Sequence, residues 1–178
     1  MEYFKLSELT ASATAQREGI DNTPPQAARQ MLTILIDKLL NPIREAWGEP
    51  IVVSSGYRCP ELNALVGGGQ HSHHLLGCAV DLIAGSRDDH RRLCHMIVQM
   101  QQAGQLRFTQ LIAEEDYRWL HISYVPSDLG CEVVGYCGER LTLNDERRRG
   151  VKASVATKGT LVPPRSVSLF RSTINDER

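Results

Sequence analysis

Long hydrophobic runs are absent from the sequence. No stretch of the 178 residues approaches the roughly 20 apolar residues that are needed to cross a bilayer. The start lacks the charged-then-apolar plan of a signal peptide, since it reads Met1-Glu-Tyr-Phe-Lys-Leu-Ser-Glu. We therefore expect a protein that is made in the cytoplasm, has no membrane partner, and reaches an outer compartment only after release by another factor.

Paired cysteines are also missing. The five cysteines are odd in number, and none forms a CxxC pair with another; they are Cys59, Cys78, Cys94, Cys131 and Cys137. These features argue against a full disulfide framework and against a cysteine-zinc ribbon. The cysteine count fits synthesis in a reducing compartment.

Charge is distributed unevenly along the chain. From Arg140 onward there are nine Lys or Arg against four Asp or Glu, whereas the whole chain has a formal net charge of -1. This basic end has a single aromatic residue, Phe170, so its composition is typical of a solvated tail and does not favour nucleic-acid binding. We predict one domain over residues 1–140 and a basic, poorly ordered tail over 141–178.

The chain between residues 23 and 48 carries the clearest helical pattern. Thr23 is a candidate cap and Pro24 suits the first helical position, while Gly48 is a typical end. Pro42 should kink or restart the helix, because proline removes an interior donor. The apolar residues recur at helical spacing, at Ala28, Leu32, Leu35, Leu39 and Ile43.

The rest of the chain alternates short strands with helices. A second long helix is predicted between its cap, Ser86, and Gly104. Short apolar segments predict four strands and one further short helix; the strands are 50–54, 79–83, 108–112 and 119–124, and the helix is 60–66. This order predicts an α+β fold, in which a small antiparallel sheet is covered by helices.

Two segments carry residues that suit a catalytic zinc ion. Zinc in hydrolases takes three ligands from His, Asp and Glu and keeps one position for water. In the first segment, a loop histidine precedes Asp81 by seven residues, and other histidines lie beside it. In the second, alternation along a strand places His121 and Ser123 on one face. Either segment alone is weak support, because a lone His or Asp is more often structural.

A third segment places an arginine at a strand-to-helix turn. Arg58 follows the strand that ends near Ser55, and Pro60 opens the next helix. The forked donors of an arginine suit a substrate carboxylate. The three segments together point to a zinc hydrolase.

These segments read S-G-Y-R-x-P-x-L-N, S-x-H-x-x-G-x-A-x-D and W-x-H-x-S, and in this order and spacing they closely resemble the zinc D-alanyl-D-alanine carboxypeptidase family. Its relatives include phage endolysins, and the resemblance runs from about Phe4 to Tyr124. It implies a hedgehog/D-Ala-D-Ala-peptidase-like fold. It also implies the following site: zinc bound by His74, Asp81 and His121, and substrate contacts from Arg58 and Ser72.

The general base is where the chain departs from the family pattern. The family often places an acidic residue three positions before the last histidine, and this chain has Arg118 there. A carboxylate near the zinc is needed to take a proton from water and return it to the leaving amine. Glu114 is the first candidate and Asp116 the second, while Glu115 lies between them.

The resemblance implies a zinc metallopeptidase that cuts a peptide bond in the peptidoglycan stem. The bond is either a terminal D-Ala-D-Ala bond or an internal one, such as the L-Ala-D-Glu bond cut by endolysins. We expect a monomer of phage or prophage origin that acts at the cell wall after release. Because of Arg118, one alternative is a zinc-binding wall-binding or structural module with impaired catalysis. Another is a zinc hydrolase acting on a non-wall peptide.

Overall fold

The computed structural model describes residues 2–126 and the backbone of 132–135. The predicted tail at 141–178 and the predicted boundary at residue 140 lie outside these residues. Within them, no helix is long and apolar enough to span a membrane.

Two short helices that the sequence pattern did not predict begin the chain. Helix α1 spans Leu6–Thr10 and α2 spans Ala13–Glu18. The Ser12 side chain accepts a hydrogen bond from the backbone of α2 and caps it, and Gly19 ends this helix in the left-handed conformation. Each helix is anchored by a small part of its surface, because Leu9 is the buried residue of α1 and Ala15 that of α2.

The first predicted long helix is present, but it is interrupted near Pro42. Helix α3 covers Gln26–Leu35, one π turn covers Ile36–Leu40, and α4 covers Asn41–Trp47. In the π turn, the Asn41 backbone N–H donates to the Ile36 carbonyl, five residues back. The wider turn accommodates the proline ring, so the predicted kink takes the form of a π turn. Gly48 ends the helix as predicted.

Three further helical segments follow. Helix α5 spans Pro60–Leu65 and α6 spans Arg87–Gln102, with a single 3-10 turn, His73–Leu76, between them. Ser86 caps α6 and forms a capping box with Asp89, which explains why the start of this helix could be predicted.

Five strands form one sheet in the order β1-β2-β4-β3-β5. The pairs β1–β2, β2–β4 and β3–β4 are antiparallel, and β5 joins β3 in parallel. The α+β fold with a small antiparallel sheet is therefore confirmed, and β5 is an addition that was not predicted. The strands are β1 Val52–Ser55, β2 Ala79–Ile83, β3 Gln110–Glu114, β4 Trp119–Ser123 and β5 Glu132–Gly135.

The two faces of the sheet have different roles. One face is the core, where α6 packs on β3 and β4; this core includes Val80, Leu82, Leu111, Leu120 and Ile122, each fully buried. The alternate residues point to the opposite face. That face carries the polar residues of interest, including Asp81 and His121.

Candidate metal centre

The pairing of β2 with β4 brings the first two predicted ligands together. Asp81 lies directly opposite His121 in the register, and directly opposite residues in an antiparallel pair have side chains on the same face. The Nδ1 atom of His121 lies 3.0 Å from Oδ1 of Asp81. A shift of one residue would turn one of these side chains into the core, so the strand register fixes their meeting.

The third predicted ligand, His74, comes from the 3-10 turn. Ser72 caps this turn by accepting from the His74 backbone N–H, and Gly77 ends it in the left-handed conformation. The His74 ring Nδ1 donates to the Gly56 carbonyl at 2.6 Å, since a carbonyl oxygen can only accept. This bond fixes the neutral tautomer whose Nε2 carries the free electron pair, as is typical of metal-binding histidines.

The three candidate ligand atoms form a nearly equilateral triangle, and we call His74, Asp81 and His121 the ligand cluster. His74 Nε2 is 3.1 Å from His121 Nδ1 and 3.3 Å from Asp81 Oδ1, and the third side measures 3.0 Å. A tetrahedral zinc site with bonds of roughly 2.0–2.1 Å has ligand–ligand edges of about 3.3–3.4 Å. The donor set therefore fits zinc in both chemistry and spacing. Among the described residues, it is the one group of His, Cys, Asp and Glu that qualifies as a metal site.

The protonation states of the cluster also suit a metal. Burial lowers the pKa of His74 below its ordinary value, against the effect of the Asp81 carboxylate, which acts to raise it. Burial acts to raise the pKa of Asp81, but its close contacts with His121 and His74 outweigh it and hold that pKa well below its usual range. At neutral pH the cluster therefore offers a neutral imidazole and a carboxylate, the forms that bind metal.

Arg58 lies against the cluster through the second oxygen of Asp81. Its Nη2 donates to Asp81 Oδ2 at 2.5 Å, and its Nε donates to Ser55 Oγ at 2.9 Å. An irregularity in β1 after Val53 places Ser55 opposite Asp81, which brings the hydroxyl to this side of the strand. Arg58 thus orients the ligand carboxylate, and its contact with substrate stays a prediction.

A residue that the sequence reasoning missed holds the Arg58 turn from behind. The Asn22 side chain accepts from the Cys59 N–H at 2.7 Å and donates to the Tyr57 carbonyl at 3.0 Å. It also donates to the Thr10 carbonyl at 3.3 Å. Asn22 therefore grips the backbone on both sides of Arg58. Its place just before the predicted helix start at Thr23-Pro24 is the one sequence signal that could have pointed to it.

Gly56 permits a close approach in the same turn. The Tyr57 N–H donates to the Leu9 carbonyl at 2.7 Å, and a Cβ at Gly56 would overlap with that carbonyl. Helix α1 therefore packs directly against the turn that carries the His74 acceptor and Arg58. The glycine of the S-G-Y-R segment is required by this contact.

A second hydrogen bond that was missed links the two histidine-bearing segments. His73 Nδ1 lies 2.9 Å from Ser123 Oγ, and Ser123 lies on the same face of β4 as His121. The bond joins the 3-10 turn to β4 directly beside the ligands. The bond joins His73, which directly precedes His74, to Ser123, the serine of W-x-H-x-S. No pattern in the sequence predicts that these two residues pair.

The candidate bases, Asp116 and Glu114, lie at the β3–β4 turn and just before it, and their environments differ. Both oxygens of Asp116 are paired with α6, at 2.9 Å from Arg87 and 3.3 Å from Arg91. Because α6 covers the core face, Asp116 is not brought to the ligand cluster. Glu115 pairs with Arg118 at 3.0 Å, and the Arg118 side chain is largely exposed.

Among Glu114, Glu115 and Asp116, it is Glu114, the last residue of β3, that lies on the face of the sheet that carries the cluster. Ile112 lies opposite His121, and Glu114 lies opposite Trp119, two residues along. Glu114 is thus a diagonal neighbour of His121, and diagonal neighbours are separated by about 7–8 Å, a distance that a long side chain can span. The geometry favours Glu114 over Asp116 as the acid that serves the site.

Residues 2–123 match the model of the family described as Peptidase M15, and this match covers more than half of the 178 residues. No curated protein matches the chain. The matched segment contains all the ligand, arginine and acidic residues described above.

Proposed function

Because this chain belongs to the peptidase M15 family, we propose that it is a zinc metallopeptidase that hydrolyses a peptide bond in the stem peptide of peptidoglycan. The observation that carries the proposal is the triangle of His74 Nε2, Asp81 Oδ1 and His121 Nδ1, whose sides of 3.0–3.3 Å lie close to the edges of about 3.3–3.4 Å of a zinc tetrahedron. Three protein ligands leave a fourth position open, which is typical of a catalytic site.

The proposed zinc ligands are His74, Asp81 and His121. When bound there, zinc polarises the scissile carbonyl and lowers the pKa of water. The hydrogen bond from His74 Nδ1 to the Gly56 carbonyl keeps this ring in the ligating tautomer. Arg58 holds the second oxygen of Asp81, so that the first faces the cluster.

Glu114 is the proposed general base and acid. Its position beside Trp119 on the face of the cluster lets its carboxylate accept a proton from the attacking water and return it to the leaving amine. Asp116 is the less favoured alternative, since two arginines hold its carboxylate at α6. Arg58 and Ser72 are proposed to contact substrate, Arg58 through guanidinium donors that Asp81 does not use.

The second candidate function is a zinc-binding module without hydrolysis, and the observation that favours it is Arg118 at the position of the family acid. Arg118 is turned to solvent and paired with Glu115, so it does not occupy the place of a base beside the cluster. We therefore favour the peptidase. An origin in a phage or prophage, action at the wall after release, and a monomeric state are parts of the same proposal.

The test is digestion of defined stem peptides by the full chain loaded with one zinc, with the cut located by mass spectrometry. Release of a terminal D-Ala identifies a carboxypeptidase, and cleavage between L-Ala and D-Glu identifies an endopeptidase. A zinc-loaded chain that cuts neither peptide, but still binds peptidoglycan, would support the module. Cleavage of non-wall peptides alone would assign a different substrate.

A further inference from the structure

The residues beside the ligand cluster form two rows across the sheet that differ in exposure. On one side, Ala79 and Ser123 lie opposite each other and are fully buried. On the other side, Val52 lies opposite Ile83, and their side chains are 59% and 37% exposed. The surface next to the ligand cluster is therefore more open on this second side.

The exposed side is apolar over three strands. Ile83 and Trp119 each lie two residues from a ligand, Asp81 and His121, and so share the ligands' face. Trp119 is half-buried. We call Val52, Ile83 and Trp119 the apolar row. Val52 and Ile83 are two of the five large hydrophobic side chains that are exposed in the described part of the chain, so their pairing next to the cluster is a concentrated apolar surface.

The distance along the strands between the ligand cluster and the apolar row suits an extended peptide. Residues two apart on a strand are separated by roughly 6.6 Å, at 3.3 Å per residue, and an extended substrate advances at a similar rate. With its scissile carbonyl at the ligand cluster, such a substrate carries the side chains of its next one or two residues over the apolar row. Glu114 stands at the end of this row, opposite Trp119.

We propose that the apolar row is the binding track for the residues that flank the scissile bond of the stem peptide. This inference rests on the proposed function. The row packs against the alanine methyl groups and aliphatic methylenes of the stem. Arg58, on the neighbouring strand-to-helix turn, binds the polar groups of the stem. Ile83, the residue of the row nearest Asp81 along the chain, is then a specificity-determining residue.

The test replaces the apolar surface without adding charge near the ligands. The double variant Val52→Thr/Ile83→Thr keeps β-branched residues in both strands, and Leu65→Thr is the control, since Leu65 is 55% exposed and lies on α5, outside the sheet. For the defined stem peptide that the zinc-loaded chain cuts, we expect KM to rise roughly tenfold in the double variant, because aliphatic contact area is lost. We expect kcat and zinc content to be unchanged, and Leu65→Thr to behave as the wild type.

A binding measurement separates this inference from the proposed function. The same stem peptide is titrated by calorimetry into zinc-loaded Glu114→Gln and into the same variant that also carries Val52→Thr and Ile83→Thr. We expect the second protein to bind the peptide with a roughly tenfold higher Kd. An unchanged KM and Kd would overturn the apolar row as a substrate track. A parallel loss of zinc or of folded protein would also overturn it, since the row would then be structural. If the wild-type chain cuts no stem peptide but binds it through the row, hydrolysis fails while the track stands.

Discussion

The ligand cluster and the β3–β4 turn are built in opposite ways. In the cluster, each side chain is held by partners within the sheet and the neighbouring turns, and all three side chains are largely buried. In the β3–β4 turn, three successive non-glycine residues, Glu115 to Tyr117, adopt positive φ angles of 44° to 59°. Such conformations are unfavourable for side-chain-bearing residues, so external contacts have to hold them.

Those external contacts come from α6. The ring Nδ1 of His90 lies 2.7 Å from the Tyr117 carbonyl, and the Arg91 guanidinium lies over the Tyr117 ring at 5.0 Å. Asp116 is held by Arg87 and Arg91. The turn is thus anchored on the core side of the sheet, while Glu114, immediately before it, lies on the other side. Acids adjacent in sequence therefore have different surroundings: Glu114 lies on the face of the ligand cluster, whereas Asp116 anchors the turn on α6.

Removal of a candidate zinc ligand has the largest expected effect on activity. In His121→Ala we expect stoichiometric zinc to be lost and peptidase activity to fall by roughly a thousandfold or more, since a metal contributes several kcal/mol to the transition state. Metal analysis of the purified protein and kcat/KM on a stem peptide measure both effects. Chelation of the wild type should have the same result, and added zinc should restore activity to the wild type but not to the variant. Full activity in zinc-free protein would contradict the assignment.

The second prediction compares the acids of the turn. Glu114→Gln should keep its zinc and lose roughly a hundredfold to ten-thousandfold in kcat, the range of general acid–base catalysis. Asp116→Asn is the matched control, because it makes the same chemical change on the anchored side of the turn.

We expect Asp116→Asn to change kcat by less than about threefold and to lower the melting temperature slightly, since exposed ion pairs contribute about 1 kcal/mol or less each. The reverse result, a large kcat loss in Asp116→Asn with Glu114→Gln nearly intact, would move the base to Asp116.

The third prediction concerns Asn22, which supports the cluster from a distance. Asn22→Ala removes hydrogen bonds to both sides of Arg58 and leaves backbone groups of the turn unpaired, at a cost of about 1–3 kcal/mol in the free energy of unfolding. Chemical denaturation measures that loss. Because the turn orients His74 and Asp81, we also expect weaker zinc binding in a competition titration.

Asn22→Asp is the matched variant for this position. It keeps the acceptor for the Cys59 N–H, but its second carboxylate oxygen would face and repel the Tyr57 and Thr10 carbonyls, so its stability should be no higher than that of Asn22→Ala. Wild-type zinc affinity in a destabilised Asn22→Ala protein would limit Asn22 to a structural role.

Local signals were enough to predict most of the fold. The β2 strand begins and ends where the apolar segment 79–83 does, and α6 follows its Ser86 cap. The first long helix began later than predicted, at Gln26, because Pro25 and not Thr23 is the residue before its first turn. Helices α1 and α2 were not predicted, since they are too short to show a period, and α1 is held by the hydrogen bond of its Leu9 carbonyl to the turn at 56–59.

The site was predictable to the extent that it depends on strand alternation. Asp81 and His121 lie on strands whose faces follow from the sequence, and the family resemblance selected His74 among its neighbours. The partners of Arg58 and the side of the sheet that each acid occupies depend on a strand irregularity and on three positive φ angles. These features are produced by tertiary contacts with residues far along the chain, so no local pattern signals them.

The turn at residues 56–59 also has a consequence for the order of folding. Its partners lie far away in sequence, with Asn22 37 residues from Cys59 and Asp81 23 residues from Arg58, and contacts of this kind form slowly because long loops must close first. The ligand triangle is completed only when the N-terminal helices and the sheet have both met this turn. We therefore expect zinc capture to be a late event, so that its rate after dilution from denaturant should report when these long-range contacts have formed.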